Sequence, residues 1–296
     1  MHLQNNRFKH FSYCLRFGGV LILTALIAGL GGILLHEFLD LIEYLVFGHG
    51  ETSTTQAVST KQFILIVLAG IISAILWCFL QRKNRQIISV KSQMKAENPA
   101  SRMPKLWIHL TNIFLQVASV GAGSPIGKEG APRELGALGA GRVSDYLKLT
   151  LQDRKLAIAC GASAGLAAVY QVPVASIFFA FETLGLGISV LNLISVSVTT
   201  ILASIVAGVV ISDAPLYETA QVTLDVKTAI LAMFLVVLIS PIAQLFRRLT
   251  QKAQAKKTTD PNVLWRLPLT FLLLASLSLI FPEIFGKWRS FGTSCI

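Results

Sequence analysis

Charged residues are scarce in this sequence of 296 residues. Asp, Glu, Lys and Arg make up 14% of it, against about 25% in an average soluble domain. Long windows contain none of them, and together these windows cover more than half of the chain: 17–35, 62–81, 106–127, 156–181, 183–212, 228–246 and 267–282. A helix needs about 20 apolar residues to cross a bilayer. The sequence therefore excludes a soluble single-domain enzyme and a disordered chain, and it predicts an all-α polytopic integral membrane protein.

Cysteine is rare as well, and its positions show no pattern. The four cysteines are Cys14, Cys78, Cys160 and Cys295. No two of them form a C-x-x-C pair or another metal-ligand spacing. This excludes a secreted disulfide scaffold, and we expect neither a metal ion nor a cofactor. A nucleophile–base pair is also missing from the sequence, so we do not expect an enzyme.

Acidic residues are outnumbered, 15 against 26 Lys and Arg, and the basic residues are clustered. They precede the first apolar window and are concentrated in 82–105 and 247–266, whereas 48–61 and 212–225 contain a single Lys between them. By the positive-inside rule, the basic stretches face the cytoplasm of a multi-pass protein of the cell membrane. Nucleic acid is not an expected partner, because the sequence has no basic module interleaved with aromatic residues.

This orientation predicts a labelling pattern. Cysteine substitutions at Ser53 and Glu218 should react with a membrane-impermeant thiol reagent added from outside. Positions in 82–105 and 247–266 should be protected, because short loops rich in Lys and Arg stay on the cytoplasmic side. Protection of both external positions would reverse the orientation.

The first apolar run is unusually long. It extends from Phe17 to Phe47, which exceeds the about 20 residues that one perpendicular helix needs. We therefore expect either a strong tilt or a break near Gly29, Gly31 and Gly32.

Glycine and proline interrupt the apolar segments from residue 106 onward, in 121–142 and again in 161–179. Short, broken membrane helices are typical of transporters, whose binding sites lie where half-helices meet near the bilayer midplane. The glycines also predict close helix packing. Those on the expected contact faces are Gly136, Gly139, Gly141, Gly161 and Gly165.

The segment 121–132, GAGSPIGKEGAP, carries the strongest chemical signal. It is not a phosphate-binding P-loop, because Ala122 stands where that motif has its first Gly and Glu129 where it has Ser or Thr. A helix is expected to start near Lys128, with Pro132 in its first turn. The free amides and the dipole at a helix start bind anions, and Lys128 would raise the local potential. The segment therefore predicts an anion site.

Glu129 has two interpretations. In the first, its charge complements the positive end of the helix dipole, as acids commonly do at helix starts. In the second, the carboxylate occupies the anion position as a tethered anion, blocks the path and withdraws when it is protonated. Arg133 lies four residues further on, which is a favourable spacing for an ion pair with Glu129 along a helix.

Other polar residues carry weaker signals. His36, His49 and His109 have no partner at a recognisable spacing, so we expect them at the membrane interface. Tyr170 and Gln171 precede a proline at a helix break, where either turn formation or a pore-lining role accounts for them.

Two parts of the sequence resemble a known family. GKEG at 127–130 resembles the G-(K/R)-E-G-P motif of the CLC family of chloride channels and transporters, with Ala131 in place of the usual Pro. The stretch 156–184 is similar to the next two helices of that family, in compatible order and spacing. The resemblance covers residues 12–285.

This resemblance implies a fold of broken, tilted helices in inverted repeats. It also implies a homodimer in which each subunit has one pathway for chloride or a similar small anion. Glu129 would be the gating glutamate, and the backbone amides of Gly127, Lys128 and Gly130 would lie near the anion.

The sequence departs from the family in two places. The family's GSGIP motif, which supplies an anion-contacting serine, falls at 88–94, where this chain reads ISVKSQM; Ser89 or Ser92 would serve instead. The internal proton-transfer glutamate of many exchangers aligns with Thr183, and Glu182 precedes it. Glu182 is either a proton-pathway residue, since membrane-embedded carboxylates are functional by default, or a helix-end residue that meets water. Channel and proton-coupled exchanger both remain open.

We expect four parts: a cytoplasmic N-terminus at 1–16, a first membrane half at 17–211, the start of a second half at 226–285 and a tail at 286–296. The tail is unlike a continuation of the family. With one choice of codons, deletion of one base from the Lys287 codon would restore a glycine-rich helix entrance, so we expect an incomplete second half that results from a frameshift or from a sequencing error. Two alternatives remain: an inserted fragment that does not conduct, and a polytopic membrane enzyme of unrelated class.

Overall fold

The computed structural model describes residues 2–48, 59–80, 87–95, 105–124, 127–211, 225–255 and 262–280. His49, the labelling positions Ser53 and Glu218, and the tail at 286–296 lie outside these ranges. Within the described ranges the chain forms ten helices and no strands. The helices are α1 (His2–Phe47), α2 (Thr60–Leu80), α3 (Val90–Met94), α4 (Leu106–Gly121), α5 (Gly130–Tyr146), α6 (Leu151–Tyr170), α7 (Pro173–Glu182), α8 (Val190–Gly208), α9 (Val226–Ala255) and α10 (Val263–Ser278).

Full-length and half-length apolar helices are both present. In the described part of the chain, 4 helices are long and apolar enough to cross a bilayer, and they are α1, α2, α8 and α9. The shorter apolar helices are α4, α7 and α10. This mixture is what interruption by glycine and proline predicts. The expected all-α polytopic membrane architecture is confirmed.

α1 is a helix of 46 residues that continues without a break through Gly29, Gly31 and Gly32. Its apolar part, Tyr13–Phe47, has 35 residues, about 52 Å at 1.5 Å per residue. It therefore has to tilt strongly in a hydrocarbon core of about 30 Å. The alternative expectation, a break at the glycines, is wrong. Each glycine instead lies where another helix approaches: α8 at Gly29, α5 at Gly31 and α6 at Gly32.

α5 and α6 are in close contact at their glycines. A Cβ atom on Gly136 would overlap the carbonyl oxygen of Gly161, and one on Gly161 would overlap that of Gly136. Gly165 lies equally close to the carbonyl oxygen of Pro132, whereas Gly139 faces α1. A Cβ atom on Gly141 would instead meet its nearest neighbour, Arg154 Nη2, at an ordinary 3.6 Å, so the prediction is wrong at that position. At the other four glycines, the close packing predicted from the glycine spacing is confirmed. It fixes the first turns of α5, where the candidate site lies, against the buried helix α6.

The chain separates into two compact units. One contains α1 to α8 together with α10, which packs on α2 where Phe271 covers Gly70. The other contains α9, which has Pro241 within it. The region predicted as the start of a second half, 226–285, therefore contributes helices to both units. Its boundaries remain predictions.

Candidate anion site

The start of α5 organises the candidate site. The helix begins at Gly130, two residues later than the expected start near Lys128, because Lys128 and Glu129 form a turn. Glu129 is the N-terminal cap, with φ −74° and ψ −19°. Pro132 is the third helical residue, so its missing N–H falls in the first turn, where it leaves no helical hydrogen bond unmade. The remaining first-turn amides are the kind of donors that bind anions.

The Glu129 side chain folds back over the residue that precedes the turn. A Cβ atom on Gly127 would overlap both carboxylate oxygens of Glu129, so the carboxylate lies directly against the Gly127 backbone. The Tyr170 hydroxyl donates a hydrogen bond to Glu129 Oε2 at 3.2 Å. A negative charge is thereby held at the positive end of the α5 dipole.

Tyr170 and Gln171 lie where α6 ends and the turn to α7 begins, and a pore-lining role for either stays a prediction. Gln171 makes the turn from α6 to α7, with φ +54° in the left-handed region. Tyr170 is the last residue of α6 and joins the site through its hydroxyl. Lys128 Nζ lies 5.5 Å from the centroid of the Tyr170 ring, within the range of a cation–π interaction. Tyr170 therefore contacts both charged residues of the GKEG motif.

Arg133 contacts the backbone of Glu129 rather than its carboxylate. Its Nε donates to the Glu129 carbonyl oxygen at 2.7 Å, and its guanidinium carbon lies 5.4 Å from the centroid of the Phe179 ring on α7. The ion pair suggested by their spacing is not among the ion pairs of the described residues. The reason is geometric, since the carboxylate is turned toward Gly127 and Tyr170 while Arg133 extends toward α7.

Ser89 and Ser92, the two serines in the segment that aligns with the family's GSGIP motif, bond to each other. Ser89 caps the start of α3: its Oγ accepts from the Ser92 amide at 3.2 Å and lies 2.9 Å from Ser92 Oγ. Val90 next to it packs in a cluster that includes Phe179, the residue beside Arg133. The serine segment and the start of α5 therefore share a neighbour on α7. A direct contact of either serine with Glu129 is not among the contacts of the described residues.

The two proton-pathway candidates lie at the far end of α7. Glu182 is the last residue of this helix, Thr183 is its C-terminal cap, and both are exposed. α7 has 10 residues, so about 15 Å of helix separates them from the turn beside Tyr170. The structure does not bring them together with Glu129. Exposure agrees with the interpretation of Glu182 as a helix-end residue, and its part in proton transfer stays a prediction.

A buried polar network on α4 and α5 was not expected from the sequence. His109 is fully buried, and its Nδ1 lies 2.6 Å from Glu134 Oε1; its expected place at the membrane interface stays a prediction. Asn112 and Gln116 donate to Glu134 Oε2 at 2.9 and 3.1 Å. We call these four residues the Glu134 network. The sequence contains a pattern that indicates this network: the three α4 residues are spaced i, i+3 and i+7, so they form one polar stripe on an apolar helix.

The described residues do not assemble a metal site. His36 Nε2 lies 3.6 Å from Asp40 Oδ2, four residues later on α1, and Cys160 is buried in the core. Nowhere in the described ranges do three His, Cys, Asp or Glu side chains come together in a group that could hold a metal ion.

Full spans, half-length helices and a glutamate held at a helix start define a polytopic membrane protein with the interrupted-helix architecture that is typical of channels and transporters. A family model described as Voltage gated chloride channel matches residues 69–295, well over half of the chain. The chain belongs to this family, the CLC family. The resemblance that rested on GKEG at 127–130 and on 156–184 is confirmed.

Two similar sequences and one solved structure agree with the assignment to the CLC family. The chain is 33% identical over 177 residues to the voltage-gated ClC-type chloride channel ClcB of Escherichia coli O17:K52:H18 (strain UMN026 / ExPEC) and, to the same extent, of Escherichia coli O139:H28 (strain E24377A / ETEC). The match covers 58% of this chain but 41% of those proteins. The crystal structure of a slow cyanobacterial Cl⁻/H⁺ antiporter superposes with a TM-score of 0.69 at 18% identity, over 89% of this chain and 64% of that one. The predicted CLC-type fold is confirmed.

Proposed function

We propose that this chain forms part of a pathway that moves chloride or a similar small monovalent anion across the cell membrane, with Glu129 as its gate. One observation carries this proposal: the Glu129 carboxylate lies against Gly127 at the start of α5. Helix amides and the helix dipole favour an anion at such a position. A carboxylate tethered there competes with a free anion, and its withdrawal would open the path.

The proposed ligands of the anion are the backbone amides of Gly127, Lys128 and Gly130. Partial charges of this kind hold an anion weakly enough for it to leave, which conduction requires. The Lys128 ammonium would add positive potential at the mouth of the path without binding the ion directly. Ser89 or Ser92 is the proposed hydroxyl ligand from the opposite segment.

Proton coupling and dimer formation are further parts of the proposal. Two relatives are named as chloride channels, while the superposed structure is named as a Cl⁻/H⁺ antiporter. In an exchanger, Glu182 would receive protons at the exposed end of α7, with Thr183 beside it and Glu129 as the second proton carrier. The proposed working unit is a homodimer with one pathway per subunit. Family membership favours transport over a membrane enzyme.

Reconstitution into liposomes tests the proposal. Chloride efflux from vesicles that contain the purified chain is followed with a chloride electrode in the presence of a potassium ionophore, while a pH electrode follows protons. We expect efflux that increases as the pH is lowered, because a protonated Glu129 no longer competes with the anion. Efflux no faster than from empty vesicles, with inserted helical protein, would instead support a non-conducting fragment.

Replacement of Tyr170 by Phe should raise chloride efflux at neutral pH by about tenfold. The substitution removes the hydroxyl that holds the Glu129 carboxylate against Gly127, and a hydrogen bond to a charged group contributes about 1.5–3 kcal/mol. Efflux from proteoliposomes measures the effect.

The control combines the change with Glu129→Gln in a double-mutant cycle. In that background Tyr170→Phe should have little effect, because no charged group remains to be held. An equal increase in both backgrounds would show that Tyr170 does not act through Glu129.

A further inference from the structure

Glu134 is a buried carboxylate that receives hydrogen bonds from three side chains. It is 9% exposed. Its Oε1 lies 2.6 Å from His109 Nδ1, and its Oε2 accepts from Asn112 and Gln116. A buried polar group of this kind has to be satisfied by its neighbours, since water is excluded. The network therefore holds α4 and α5 in one relative arrangement.

The hydrogen bonds of His109 fix the position of its proton. The Ile88 amide, which can only donate, lies 3.2 Å from His109 Nε2. Nε2 must therefore be the acceptor, so the ring is neutral and Nδ1 carries the proton that it donates to Glu134. The Ile88 amide, His109 Nδ1 and the side-chain amides of Asn112 and Gln116 therefore each have an acceptor.

On one side the network holds the segment that leads into α3. Ile88 is bonded through its amide to His109, and its carbonyl oxygen accepts from Gln93 Nε2 at 3.2 Å. Ile87 before it packs with the apolar cluster of α2 and α4. The next residue is Ser89, the cap of α3. The position of the serine hydroxyl thus depends on a backbone bond to a side chain of α4.

On the other side the network reaches the start of α5. Gln116 donates to Glu134 through Nε2, so its Oε1 faces away from the carboxylate. That oxygen lies 2.6 Å from the place that a Cβ atom on Gly130 would take. Gly130 is the first residue of α5 and follows Glu129 directly. The orientation of Gln116 therefore couples Glu134 to the helix start.

We propose that His109 and Glu134 are positioning residues of the anion site, and this inference rests on the proposed function. They hold the Ile88–Ser89 segment through the histidine ring and the Gly130 helix start through Gln116. Neither residue needs to touch the anion. In a low-dielectric interior such a fully satisfied network is rigid, and loss of one member leaves a buried donor or acceptor unpaired.

The test compares variants of the full chain in lipid nanodiscs. His109→Leu removes both hydrogen bonds at similar volume, whereas His109→Gln keeps one acceptor and one donor. Glu134→Gln keeps the shape and removes the charge, so it replaces His109→Leu if that variant does not fold. Ile113→Ala is the matched control, because Ile113 is fully buried on α4 but belongs to an apolar cluster. Hydrogen–deuterium exchange across 87–95 and calorimetric titration with chloride are the two measurements.

In His109→Leu, exchange across 87–95 should become about tenfold faster, as expected for loss of a buried hydrogen bond. Chloride affinity should fall by a similar factor. His109→Gln should stay within about threefold of the parent in both measurements, and Glu134→Gln should change in the direction of His109→Leu. Ile113→Ala should leave exchange across 87–95 unchanged.

Two results would overturn the inference: unchanged exchange across 87–95 in His109→Leu, or faster exchange with unchanged chloride affinity. Failure of the proposed function gives a different result. In that case the parent chain would not bind chloride and Glu129→Gln would not change this, whereas exchange across 87–95 would still report whether His109 holds the segment.

Discussion

Replacing Glu129 with Gln should preserve or increase anion flux and remove most of its pH dependence. Gln mimics permanent protonation at nearly constant volume, so the charge that competes for the start of α5 is gone while the Gly127 backbone is unchanged. Any coupled proton movement should stop, because the side chain no longer titrates. Chloride efflux and proton uptake by proteoliposomes across pH measure this, and chloride titration of the same variant should show tighter binding.

Two controls separate gating from other roles of this residue. Glu129→Ala should behave like Glu129→Gln, because the blocking group is absent from both. Glu37→Gln makes the same charge change at an exposed position of α1 and should retain the pH dependence. If Glu129→Gln abolished flux in a folded, inserted protein, Glu129 would be a required ligand or helix cap, and its assignment as the gate would be wrong.

Substitution of Gly161 by Ala should destabilise the protein by about 1–3 kcal/mol or more, the range for overpacking in a tight core. The added methyl group would overlap the carbonyl oxygen of Gly136, and neither backbone can move without separating α5 from α6. Because α5 also carries the Glu129 cap, chloride binding should weaken in parallel. Thermal unfolding in detergent, followed by circular dichroism, measures the loss of stability.

Gly141→Ala is the matched control on α5. A Cβ atom there would meet its nearest neighbour, Arg154 Nη2, at 3.6 Å, an ordinary contact distance. The variant should be as stable as the parent or slightly more so, since Ala favours a helix over Gly by up to about 1 kcal/mol. Equal unfolding temperatures for the Gly161 and Gly141 variants would contradict the assignment of close packing to Gly161.

Much of this protein follows from local sequence features. The windows without charge determine that the chain spans a membrane, because burying unpaired charge in lipid is costly. Glycine spacing predicts that Gly136 and Gly161 each lie on a closely packed helix face, since small residues permit close backbone approach. The GKEG motif places Glu129 at a helix start, and helix starts depend mainly on neighbouring residues. These features need no knowledge of distant parts of the chain.

Only the tertiary structure decided the features that depend on residues far apart in sequence. α1 continues through its glycines because α5, α6 and α8 pack against them. The Glu129 carboxylate turns toward Tyr170, 41 positions away, rather than toward Arg133 on its own helix. His109 is buried because Glu134, 25 positions later, lies beside it. A sequence shows which side chains share a helix face, but the partner of a buried polar group is set by how the helices pack together.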